Sequence, residues 1–110
     1  KEAILKATEL DTRLVMRPLR NTERVLNNAA AVEKLLEKEK NLGPDISFQD
    51  IAEEVAGVYP KVMQNGDMDS GAWSCGMVAG LINSNPTVKE LIDSIMDEAN
   101  SLINGRLSNL

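Results

Sequence analysis

At 110 residues the chain fits one small domain with a single modest core. Its net charge of −5, from 12 basic against 17 acidic residues, argues against a nucleic-acid footprint. With no histidine and one cysteine, a structural zinc site is excluded, the commonest general base is missing, and the simpler setting is reducing and cytoplasmic.

Hydrophobic residues make up 43% of the chain and aromatic residues only 3%, from Phe48, Tyr59 and Trp73. A core of Leu, Ile, Val, Ala and Met suits helix packing better than a β-sandwich. No apolar run approaches the roughly 20 residues that cross a bilayer, and no signal-peptide pattern opens the chain. The chain begins Lys1-Glu2-Ala3-Ile4-Leu5, already in a helical pattern, which suggests a piece of something longer.

Residues 2–10 read as a helix ended by Asp11-Thr12. Leu14, Val15 and Met16 form a short extended run within 12–16, closed by Pro18, which biases Arg17 away from helix. Arg13, Arg17, Arg20 and Arg24 cluster without interleaved aromatics, the pattern of a solvated or salt-bridged patch. Asn21 is the expected N-cap of a helix over 22–40, with Val25, Ala29, Val32 and Leu36 on one face and a charged end from Glu33 to Lys40.

Asn41 to Asp45 is a loop by its Gly-Pro step. Ser47-Phe48-Gln49-Asp50 reads as a capping box opening a short helix through Ala56, closed by Gly57. Tyr59-Pro60 starts another short turn, ended by Asn65-Gly66. Asp67 and Asp69 lack the loop and closing glutamate that a calcium site needs, so a bare turn is expected.

Residues 71–80, Gly-Ala-Trp-Ser-Cys-Gly-Met-Val-Ala-Gly, hold the sole tryptophan, the sole cysteine and three of the seven glycines. On a helix, Gly76 and Gly80 would leave one flat face flanked by Ala72, Cys75 and Ala79, which admits a backbone or a flat ligand closely. With no histidine to activate it, Cys75 reads as a small buried residue, and Trp73 as an anchor. Thr87-Val88-Lys89-Glu90 is a second capping box. It opens a helix whose Val88, Leu91, Ile92, Ile95, Met96, Ala99, Leu102 and Ile103 form a stripe expected to join the core, with Gly105 as the stop. The expected fold is all-α, four to six helices with one short extended segment and no sheet.

The run from Gly71 to Ile82, then Pro86 to Ile92 and Ile95 to Ala99, resembles the C-terminal part of the nitronate monooxygenases (2-nitropropane dioxygenases). Lys1 to Thr12 and Arg20 to Asn28 resemble the part after the last barrel strand of those enzymes, in the same order. The resemblance implies the C-terminal helical portion of a larger TIM-barrel flavoprotein, barrel absent. It divides residues 1–110 into a helical substrate-side domain at about 18–70 and a cavity segment with closing helices at about 71–106. The parent would carry FMN, which this chain alone is not expected to bind, and would oxidise alkyl nitronates with molecular oxygen. Related members are flavin-dependent enoyl-acyl-carrier-protein reductases.

By the same resemblance, Trp73, Ser74, Cys75, Gly76 and Met77 border the substrate and cofactor cavity. Many relatives carry glutamine where this chain has Met77, which suits a hydrophobic substrate or plain packing. No catalytic residue and no metal ligand falls in the chain, so the fragment alone is expected to be inactive. The implied partners are the upstream barrel and a small nitronate-like substrate, with self-association of the fragment and neither nucleic acid nor membrane. The competing reading is an autonomous helical module that applies the 88–103 stripe to a partner.

Overall fold

The computed structural model describes residues 1–109, with 29–31 and 109 described through their backbone only. Helical residues make up 61% of the chain, so the all-α reading holds. It is joined, however, by a two-stranded antiparallel ribbon of β1 (Thr12–Val15) and β2 (Glu23–Leu26), in the register Thr12↔Leu26 to Val15↔Glu23. The first helix is shorter than its sequence pattern. α1 covers Glu2–Lys6, and a capping box of Thr8 with Asp11 starts a separate 3₁₀ turn at Glu9–Asp11.

β2 corrects the expected helix over 22–40. Val25 and Leu26 share a helical spacing with later residues, yet they serve opposite faces of the ribbon, as strand alternation requires. Val25 enters a core with Val15, Val32, Leu35, Ile46 and Ile51. Leu26 packs against a second core of Val58, Val62, Trp73, Cys75 and Ala79. Burial on both sides decides against helix here, because the choice is made by tertiary pairing that no local window contains.

Helix α2 (Ala29–Leu42) therefore starts at Asn28 and not at Asn21. Val32 and Leu35 are fully buried on its inner face with Glu39 one turn on; the side chain of Ala29, read onto the same face, lies outside the described residues. Gly43, at φ +55°, ends the helix. The Glu39 carboxylate accepts the Met16 N–H at 2.5 Å. That bond holds the β1–β2 turn, where Met16 and Arg20 both take positive φ, a conformation that costs a side-chain-bearing residue about 1–3 kcal/mol.

The Ser47 capping box forms as expected and opens a 3₁₀ turn at Phe48–Ile51 that continues as α3 (Ala52–Val55). Gly57 at φ +67° turns the chain into α4 (Val58–Pro60), which runs on as a π turn to Asn65. Between α2 and α3 lies a buried carboxylate, Glu54, only 3% exposed. Its Oε1 meets Lys34 Nζ at 2.8 Å as an ion pair, and its Oε2 accepts a hydrogen bond from Lys38 Nζ at 2.9 Å. Burial pushes the Glu54 carboxyl upward, but the two lysines together outweigh it and hold its pKa below the ordinary value.

Gly71 is a bend and residues 72–76 are not helical, which corrects the flat helical face read from Gly76 and Gly80. A 3₁₀ turn follows at Met77–Leu81. The close approach itself is real at two glycines. A Cβ on Gly71 would stand 2.3 Å from Val58 Cγ2 and 2.5 Å from the Glu54 carbonyl oxygen, and one on Gly80 would stand 2.8 Å from the Glu9 nitrogen.

Residues 82–87 form no regular element and lead to α5 (Val88–Ser101), opened by the Thr87–Glu90 capping box. The expected burial of its stripe is overturned: Val88, Leu91, Ile92, Ile95, Met96, Leu102 and Ile103 are all exposed. Amphipathic spacing shows that a helix has an apolar side; it does not say what covers that side. Nor does Gly105 stop the helix, which continues as a π turn at Leu102–Arg106 and a 3₁₀ turn at Leu107–Asn109. The projecting helix explains a radius of gyration of 18.4 Å, where a compact chain of this length has about 13 Å.

Two measurements check this account. Gly71→Ala forces a methyl group against backbone and is expected to cost about 1–3 kcal/mol in urea unfolding, whereas an unchanged midpoint contradicts the close approach. Because the folded pKa of Glu54 is depressed, its stabilisation is present above its unfolded value of about 4.5 and is lost as pH falls through the folded value. Glu54→Gln should therefore flatten the acid limb of the stability profile; an identical acid limb contradicts the buried pair.

Candidate functional site

The stretch that concentrates the rare residues is built as a third strand-like segment on the free edge of β2. Leu26 N–H donates to the Trp73 carbonyl at 3.2 Å, and Cys75 N–H donates to the Arg24 carbonyl at 3.0 Å. Between them Ser74 faces Val25 in an antiparallel bridge. Upstream, Ala72 N–H donates to the Glu54 carbonyl at 2.7 Å, which Gly71 makes possible by lacking a side chain.

Asn28 locks the entry to this segment. Its Nδ2 donates to the carbonyls of Met68 and Gly71, both at 2.7 Å, and Trp73 Nε1 donates to the same Met68 carbonyl at 3.2 Å. The amide that the sequence would assign to a helix cap thus ties a loop 40 residues away.

Alternation along the segment then sorts its side chains. Trp73 and Cys75 are both 7% exposed and sit in the second core with Val58, Val62 and Ala79, while Ser74, Gly76 and Met77 are exposed. Burial pushes the Cys75 thiol upward, away from a reactive thiolate. A Cβ on Gly76 would have only Val78 Cγ1 near it, at 3.8 Å, so the space in front of Gly76 is open.

The polar feature on the exposed side was not anticipated from sequence. Tyr59, at the start of α4, places its hydroxyl 2.5 Å from Ser74 Oγ and donates to it. The same phenolic oxygen accepts the Ser74 N–H at 3.0 Å. Only the fold brings together residues so far apart in sequence; the one sequence hint was a lone tyrosine just past the helix-breaking Gly57.

Two grooves among the described residues lie elsewhere. One of about 160 Å³ is lined by Lys1, Ile4, Leu5, Ile82, Ser84 and Asn85, and one of about 410 Å³ by residues 81–86 and Leu91. Neither takes a wall from residues 73–77. Of the four clustered arginines, Arg13, Arg17 and Arg20 are exposed, while Arg24 donates from Nη1 to Thr12 Oγ1 at 2.8 Å. Among the described residues no helix is long and apolar enough to cross a membrane.

No family model matches the chain. Among solved structures, it is similar to FabK from Thermotoga maritima, with 27% identity over the whole of this chain and a TM-score of 0.78. It is also similar in fold to the M276A mutant of that protein, at 24% identity and a TM-score of 0.71. The chain spans about a third of the length of these FabK chains, 33% and 31%. The architecture described above thus matches a third of the FabK structure.

Trp73 is the only tryptophan and reports on the clamp directly. Asn28→Asp removes both N–H donors and sets a carboxylate against two carbonyls, so it should cost about 1–3 kcal/mol and shift Trp73 fluorescence to the red. Emission unchanged from the parent protein would contradict the role given to Asn28.

Proposed function

We propose that this chain is the helical domain and closing helix of a larger FMN-dependent oxidoreductase, with residues 73–77 forming one wall of the substrate side of the flavin site. The observation that carries the reading is the likeness to FabK over the whole of this chain and a third of that one. FabK is an FMN-dependent enoyl-acyl-carrier-protein reductase related to the 2-nitropropane dioxygenases, so the likeness supports the wider superfamily. The bare apolar stripe of α5 supports it too, since a barrel packed there would cover that stripe.

The residues fit a wall better than a socket. The backbone amide of Ser74 is taken by Tyr59 and that of Cys75 by Arg24, so neither is free to hold a phosphate. What the segment offers is a backbone open at Gly76, an apolar Met77 and one hydroxyl-bearing residue, Ser74. When bound, the flavin supplies the redox chemistry, accepting or delivering a hydride. This chain's part is to shape the cavity, exclude water at Met77 and orient the substrate.

Two substrate classes compete within the reading. The co-linear segments quoted above favour alkyl nitronates with molecular oxygen, and the FabK likeness favours an enoyl thioester reduced with a nicotinamide cofactor. Turnover of each by the longer protein separates them.

The division of labour is tested by spectra. A protein carrying this chain behind a barrel of about 230 residues is expected to be yellow, with stoichiometric FMN. The 110-residue chain alone should be colourless and should self-associate through the α5 stripe. A stoichiometric flavin spectrum from the short chain, or none from the long one, would overturn the reading.

A further inference from the structure

The hydrogen bonds around Ser74 leave one proton without an acceptor among the described residues. Three donors meet there: the Ser74 amide, the Tyr59 hydroxyl and the Ser74 hydroxyl. The amide donates to the phenolic oxygen at 3.0 Å, and the phenol donates to Ser74 Oγ at 2.5 Å. The Ser74 hydroxyl hydrogen has no acceptor among the described residues, and both side chains are exposed, Tyr59 at 49%. Bonds aligned in this order polarise one another, so the terminal hydroxyl is a stronger donor than an isolated serine. Its position is also fixed, because Trp73 and Cys75 on either side are buried and paired to β2.

We infer that Ser74 Oγ–H is a preorganised donor for a substrate oxygen that carries or develops negative charge, and that Tyr59 is its positioning residue. This rests on the reading of 73–77 as a substrate-side wall and adds a chemical role to it. The two substrate classes share the chemistry: a nitronate oxygen is anionic at the outset, and a thioester carbonyl oxygen becomes an enolate oxygen when the β-carbon accepts a hydride from reduced flavin. A donor aimed at such an oxygen lowers the barrier more than it tightens ground-state binding. Met77, three residues further on, is exposed and apolar and adds no competing side-chain hydrogen-bond partner.

The test uses the longer flavoprotein with Ser74→Ala, Tyr59→Phe, the double variant and Ser74→Thr. Ser74→Ala should lower kcat by about 10- to 100-fold with a smaller change in KM. Tyr59→Phe should lower it by about 3- to 10-fold, and the double variant should match Ser74→Ala within about twofold, since both act through one proton. Ser74→Thr should restore most of the rate.

The second readout does not depend on turnover. With crotonyl thioester and no nicotinamide present, the carbonyl stretch of the bound probe should lie lower in the parent than in Ser74→Ala. With anaerobic propyl nitronate, affinity should fall about 10-fold or more in Ser74→Ala. The probe that responds identifies the substrate class. If the longer protein lacks flavin, the proposed function fails, and the donor is then judged by these binding measurements alone. Variants that bind both probes as the parent does, or single variants whose rate losses multiply in the double variant, overturn the inference. Urea midpoints separate these effects from misfolding.

Discussion

The attachment of residues 72–75 to the edge of β2 is the constraint on which the molecule depends. An unpaired strand edge is a row of unsatisfied amides and carbonyls, and a two-stranded ribbon alone is marginal in water. Adding a third segment satisfies that edge and closes the second core at the same stroke, because Trp73 and Cys75 arrive with it. Gly71 and Asn28 make the attachment possible from opposite sides. One lets the backbone approach Glu54, and the other ties down two carbonyls of the incoming loop.

The two cores are consequently joined by a single sheet. Val25 supplies one and Leu26 the other, so a disturbance of β2 reaches both. The buried Glu54 stands on the same path: its side chain holds α2 through Lys34 and Lys38, while its carbonyl receives Ala72. Ion pairing in the helical layer and strand docking in the ribbon therefore share one residue. The exposed hydroxyls of Tyr59 and Ser74 sit on the outer surface of this arrangement, positioned by groups that do no chemistry themselves.

Signals read correctly from sequence were those with a local mechanism. The capping boxes at Ser47–Asp50 and Thr87–Glu90 formed, as did the left-handed turns at Gly57 and Gly66 and the extended run after Thr12. The box at Thr8–Asp11 was hidden inside a pattern that continued plausibly as helix. What failed required knowledge of partners. Thr22 to Asn28 satisfied a helical spacing until β1 and the 72–75 segment claimed its two edges. The α5 stripe was recognised as apolar, but its neighbour could not be read from its own spacing. The glycine-rich stretch was read as a helical face of close approach at Gly76 and Gly80; close approach holds at Gly80 and at Gly71, while Gly76 stands open and the segment before Met77 is not helical. Tyr59 could not be linked to Ser74 at all, because their meeting depends on the packing of α4 against the ribbon.

The alternation at Trp73, Ser74 and Cys75 has one more consequence. In an extended segment a shift of one residue exchanges its two faces, which here would send an indole and a thiol into water and a serine into the core. Gly71 at one end is fitted against Glu54 and Val58, and Gly80 at the other against Glu9. The interval between these two glycines therefore acts as a ruler. Side chains along it can be exchanged more readily than the chain can gain or lose a residue, and sequence length is as much a part of the wall as the residues that face outward from it.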